Sequence, residues 1–77
     1  MAKRFVNYKL KRLWYKLLYL QGHCNDARKA AAKNYGQVTG DDEREAVQLV
    51  LQSMVTMLDE LEKLKALLQI TDEQSRG

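Results

Sequence analysis

The 77-residue chain has no proline, one cysteine, one histidine and only four glycines (Gly22, Gly36, Gly40 and Gly77). With so few hard breaks available, long helices are the expected structure. A single cysteine excludes an internal disulfide and suits a reducing compartment. No apolar run resembles a signal peptide, because Lys9, Lys11, Arg12 and Lys16 interrupt every candidate. Ala2 stands where a myristoylation signal requires glycine. The longest uncharged run of interest, Ala46 to Leu58, falls short of the ~20 residues that span a bilayer. The expectation is a soluble intracellular protein forming one small domain over residues 1–77. A chain this short has a marginal core unless a disulfide, a metal or self-association supports it.

What the chain does contain is an uneven distribution of charge. Residues 1–34 carry nine cations against Asp26 alone, and residues 35–77 carry four cations against nine carboxylates. Such asymmetry implies an anionic partner, mutual attraction of the halves, or both. The extreme stretch is residues 3–20, KRFVNYKLKRLWYKLLYL, with six basic residues, five aromatics and five leucines. A segment so basic and so apolar at once has no bland polar face.

Val6, Leu10, Leu13, Leu17, Leu20, Cys24, Ala27 and Ala31 alternate gaps of four and three, a heptad seam on one helical face. RKAAAK near its end is strongly helical. The spacing predicts a first helix over about 3–34, continuous through Gly22 because the seam keeps its register there. A kink or split at Gly22, giving a three-helix monomer, is the alternative. Gly36 supplies a C-cap, and residues 34–40 form a turn. Asp42 with Glu45 resembles a capping box at the start of a second helix over about 42–70. Residues 71–77 read as a frayed polar tail. The second helix has a broad apolar stripe (Val47, Val50, Leu51, Met54, Met57, Leu58, Leu61, Leu64 and Leu68), wide enough for two neighbours.

The expected fold is therefore all-α, an antiparallel two-helix hairpin that dimerises into a four-helix bundle and so covers the second stripe. A turn near residue 38 sets Leu17 near Leu58, Leu13 near Leu61 and Leu64, and Ala31 near Ala46. Arg28, Lys29 and Lys33 then lie beside the carboxylates at 41–45.

Nothing points to catalysis. His23 and Cys24 are adjacent on a helix and do not face each other. They fall short of a zinc ligand set, no calcium-loop spacing follows the acidic residues, and no phosphate-binding glycine loop exists. No catalytic residue, metal or cofactor is assigned. The positive signal is Lys3, Arg4, Lys9, Lys11, Arg12 and Lys16, cations crowded where a helix dipole disfavours them. Phe5, Tyr8, Trp14, Tyr15, Leu18 and Tyr19 share that segment and either pack on a second subunit or meet a partner. A self-associating chain with these residues suits an RNA or DNA backbone, read by shape. An acidic protein surface gripped by the Trp14/Tyr15 face is a competing partner, and an anionic membrane a third.

Overall fold

The computed structural model describes residues 5–75. These form two α-helices, α1 over Tyr8–Tyr35 and α2 over Asp41–Ser75, joined by residues 36–40. The helices pack antiparallel as a hairpin whose extents are 56 × 19 × 15 Å. The expected helical hairpin is present, and α1 runs unbroken through Gly22.

Both outer boundaries differ from those expected. α1 starts at Tyr8 rather than near residue 3, because Asn7 is an N-cap with extended backbone (φ −87°, ψ 114°). Its side-chain oxygen accepts the N–H groups of Lys9 and Leu10 at 2.9 and 3.3 Å. Its carbonyl accepts the Lys11 N–H at 3.0 Å. Asparagine suits this position because its short side chain satisfies donors that the helix leaves orphaned. Phe5 and Val6 therefore precede the helix, and Lys3 and Arg4 lie outside the described residues.

α2 begins one residue earlier than expected and ends five residues later. The Gly40 carbonyl accepts the Arg44 N–H at 3.0 Å, which places Asp42 inside the first turn with Asp41 and Glu43 instead of at the cap. These carboxylates still complement the positive helix end. At the far end the helix continues through Asp72 to Ser75, so the polar tail expected from residue 71 is helical as far as 75. The reason is Asp72, only 1 % exposed. Its Oδ1 accepts the Asn7 N–H at 2.7 Å and the Val6 N–H at 3.1 Å. Its Oδ2 accepts the Val6 N–H at 2.9 Å. The end of α2 thus supplies the negative charge that the first turn of α1 lacks.

At the turn, the Gln37 and Val38 N–H groups both donate to the Asn34 carbonyl, at 2.9 and 3.0 Å. Gly36 closes α1 with φ −75°, an ordinary right-handed value that does not use glycine's freedom. Arg44 holds the loop instead, donating to the Val38 carbonyl at 3.3 Å and lying 5.7 Å from the Tyr35 ring centre.

The contact face of α1 is Leu10, Trp14, Leu17, Gln21, Cys24, Arg28 and Ala31, which alternate gaps of four and three. That face shares Leu10, Leu17, Cys24 and Ala31 with the expected seam but replaces Leu13, Leu20 and Ala27 by Trp14, Gln21 and Arg28. Leu13 and Leu20 are each 48 % exposed and Val6 is 65 % exposed, so none of the three belongs to the hairpin core. On α2 the facing row is Val47, Leu51, Met54, Leu58, Leu61, Lys65, Leu68 and Asp72, again spaced four and three. Val50, Met57 and Leu64, the other edge of the broad stripe, stay exposed.

The contacts that cross the hairpin keep close to the expected register, setting Asp72 against Val6 and Asn7 and Lys65 against Trp14. Leu58 borders Gln21, Gly22 and Asn25, and Leu61 shares a groove with Leu20 and Cys24. Lys65 accounts for this register: its Nζ donates to Gln21 Oε1 at 2.7 Å and lies 5.1 Å from the Trp14 ring centre. At the turn end, Ala31 and Ala46 do lie on one groove, together with Ala27, Asn34, Val47 and Val50. Arg28 does not bridge to the acidic start of α2. Its guanidinium donates to Asn25 Oδ1 at 3.0 and 3.3 Å. Lys29 and Lys33 make no ion pair with residues 41–45 among the described residues.

Candidate nucleic-acid interface

The geometry of α1 divides the basic, aromatic segment among three strips. Phe5 and Trp14 turn toward α2. Their rings lie 5.9 Å apart at 53°, and Trp14 Nε1 is buried with no hydrogen-bond acceptor among the described residues. Trp14 also carries the Lys65 ammonium against its face, a contact that partly compensates a cation left 9 % exposed. Glu62 completes the cluster with an oxygen 3.4 Å from Lys65 Nζ. The Glu62 carboxyl is held below its ordinary value, first by a hydrogen bond from the Gln21 amide and then by the Lys65 charge, with burial opposing.

The outward strip is different. Tyr8, Lys11, Arg12, Tyr15 and Lys16 line one shallow concavity of about 380 Å³. Helical spacing brings them together: positions 8, 11, 12, 15 and 16 recur at the three- and four-residue intervals that share a helical face. The Arg12 guanidinium stands 5.9 Å from the Tyr8 ring centre. Tyr15 presents its ring edge-on to Trp14, 5.2 Å between centres at 85°, which fixes Tyr15 from below. No carboxylate lines the concavity. Its cations have no ion pair among the described residues, whereas Lys63 and Lys65 on α2 are each paired. Lys63 is pushed up by Asp59 first and Glu60 second, at a fully solvated position.

The remaining expected site residues scatter. Lys9 is exposed at the edge of the outward strip, and Tyr19, 71 % exposed, sits one turn beyond it. Leu18 lies on the opposite edge, lining a wide groove with Leu58, Gln21 and Asn25. The candidate set is therefore brought together in part: five residues share a surface and Phe5 and Trp14 do not. Cys24 is buried beside Leu61, while His23 is exposed. Among the described residues no three histidine, cysteine or carboxylate side chains converge as a metal would need.

Three residues that matter were not singled out from the sequence: Asn7, Lys65 and Asp72. A signal for two of them existed. Lys65 and Asp72 continue the four-and-three spacing of Met54, Leu58, Leu61 and Leu68, so their burial was readable from register, though hydrophobicity pointed elsewhere. No helix among the described residues is long and apolar enough to cross a membrane. No protein-family model matches the chain, and no curated protein or solved structure is similar to it.

Proposed function

We propose that this is a non-enzymatic binding protein which, as a homodimer, lays the outward strip of α1 along a nucleic-acid backbone. The observation that carries the reading is the concavity of Tyr8, Lys11, Arg12, Tyr15 and Lys16, where three cations and two tyrosines converge without a carboxylate. Phosphate oxygens match unpaired ammonium and guanidinium groups, and such contacts position a helix without reading bases. Tyr8 and Tyr15 add flat surface for sugar edges or for unstacked bases. On an A-form duplex the recognised feature is the shape of the groove.

The reading in which Trp14 and Tyr15 anchor a protein partner has less support. Trp14 is half-buried between the helices and is occupied by Lys65. A membrane-lying helix needs a free apolar face on α1 next to the cations; Leu10 and Leu17 are turned to α2, and the exposed pair beside Lys9 and Lys16, Leu13 and Leu20, is the one the homodimer would cover.

The test is fluorescence anisotropy of a short RNA duplex and a DNA duplex titrated with the full chain at several salt concentrations. Binding should weaken steeply with salt, and Lys11→Glu/Arg12→Glu should abolish it while leaving the helical circular dichroism unchanged. Affinity for neither duplex at low salt, or affinity insensitive to the double substitution, ends the proposal.

A further inference from the structure

One broad side of the hairpin is more apolar than the other. On the apolar side, Leu13, Leu20 and Ala27 of α1 run beside Val50, Met57 and Leu64 of α2, two rows that each repeat every seven residues. Leu20 and Met57 line one groove there, and Ala27 and Val50 line another. The opposite side sets Gln21, Asn25, Asp59 and Glu62 around its groove beside Leu18 and Leu58. We infer that a second copy of this chain packs on the Leu13/Leu20/Ala27–Val50/Met57/Leu64 face, leaving Tyr8, Lys11 and Tyr15 of the outward strip free and Lys16 at the rim of the contact. This rests on the homodimer in the functional proposal and specifies the face it uses.

Three observations select a second copy as the occupant. First, the hairpin is short of core: Cys24, Ala31 and Leu61 are its only buried apolar side chains among the described residues. A partner that completes the core fits an obligate neighbour better than an occasional one. Second, the two rows, about 21 Å long, form the apolar centre of a side measuring 56 × 19 Å, whose polar ends would supply the rim of the roughly 800 Å² per partner that a standard interface needs. Third, the two rows have equal length, 14 residues or about 21 Å of helix, with Lys16 beside the first and Glu60 beside the second, one charge of each sign. Large side chains occupy the middle of both rows and small ones the turn end, so a two-fold related copy meets the same sizes it presents.

The geometry also separates the duties of α1. Leu13 and Leu20 point about 100° or more away from Tyr8 and Tyr15 around the helix. Covering the first pair does not cover the second, and the tyrosines are not needed to close the dimer.

Cys24 offers an internal reporter. Its thiol borders the groove of about 230 Å³ formed with Leu20, Met57 and Leu61, which the second copy would seal. The experiment combines sedimentation of the full chain with the rate of Cys24 labelling by a small maleimide across protein concentration. A dimer is expected, with labelling at least tenfold slower above the dimer dissociation constant than below it. Leu20→Lys should lose the dimer, and Tyr19→Lys should keep it. A dimer whose labelling rate is independent of concentration, or one that survives Leu20→Lys, overturns this face but leaves the homodimer standing. A monomer at every concentration overturns both. Duplex binding is measured separately, so loss of nucleic-acid affinity alone bears on the functional proposal and not on this face.

Discussion

Asp72→Ala should be the most damaging single polar substitution in the hairpin. The carboxylate accepts two backbone donors through three hydrogen bonds of 2.7 to 3.1 Å, at a position only 1 % exposed. Hydrogen bonds to a charged group are worth about 1.5–3 kcal/mol each, and an abandoned buried donor costs about 1–3 kcal/mol. Val6 and Asn7 have exposed side chains, so water can reach part of what the carboxylate leaves, and the lower half of these ranges applies. The negative charge at the start of α1 adds about 0.3–1 kcal/mol, more than usual in importance because that first turn has no acid of its own. The total is about 2–4 kcal/mol against a stability of about 4–11 kcal/mol for a chain of this length. Asp72→Asn keeps one acceptor oxygen and loses the charge, and should cost about half as much. Urea unfolding followed by helical circular dichroism measures both, with Gln74→Ala as an exposed neighbour for comparison. If Asp72→Ala lies within about 0.5 kcal/mol of that comparison variant, the contact between the helix ends is geometric only, and the reason given for the length of α2 is wrong.

Two further outcomes follow from single residues. Gly22 sits inside α1, and a Cβ added there would meet nothing within 4 Å; Gly22→Ala should therefore raise stability by about 1 kcal/mol in the same unfolding assay, and a loss would reveal a backbone requirement at this position. Glu62 has its carboxyl pulled down by Gln21 and then Lys65, so its contribution is present above the ordinary value of 4.5 and is lost as pH falls below it toward the folded value. Acid unfolding of Glu62→Gln should be shallower than wild type below pH 4.5 by a small amount, since the side chain is largely solvated; identical slopes would show that the pairing is energetically silent.

The hairpin, its turn and its two long helices were legible because they depend on local signals: seven-residue periodicity, the absence of proline, and glycines and acids clustered between residues 36 and 45. The inward face was not. Each helix carries two apolar rows that overlap, and Leu10, Leu17, Cys24 and Ala31 belong to either choice of α1 seam. Hydrophobicity favours Leu13 and Leu20 for the interior, but a hairpin has one contact face, and Lys65 reaching Gln21 and Trp14 sets which row it is. A buried lysine is costly unless held this way, which is why composition alone argues against it. The end of α2 was hidden for a similar reason. TDEQS reads as a solvated tail, and nothing local reveals that Asp72 caps a helix some 65 residues earlier in the chain. Of the candidate site, Tyr8, Lys11, Arg12, Tyr15 and Lys16 stand at helical spacings that the sequence displays, but Phe5 and Trp14 were expected to serve beside them, and turning Trp14 inward required knowing the face that meets α2.

The cations at the start of α1 now have a structural as well as a functional side. A helix whose first turn carries Lys9 and Lys11 and no acid opposes its own dipole. The expense is offset by a carboxylate borrowed from the far end of α2, so the outward strip is held in place by the hairpin closing and not by local propensity. The strip begins at Tyr8, the residue after the cap, and its geometry therefore depends on the Asp72 contact. On the proposed dimer the dependence extends further: with so little apolar surface buried within one hairpin, association contributes to folding by mass action. Folding, self-association and presentation of the basic strip are then one linked equilibrium. Weakening the apolar face should lower nucleic-acid affinity without touching a single cation, and phosphate binding should in turn favour the dimer.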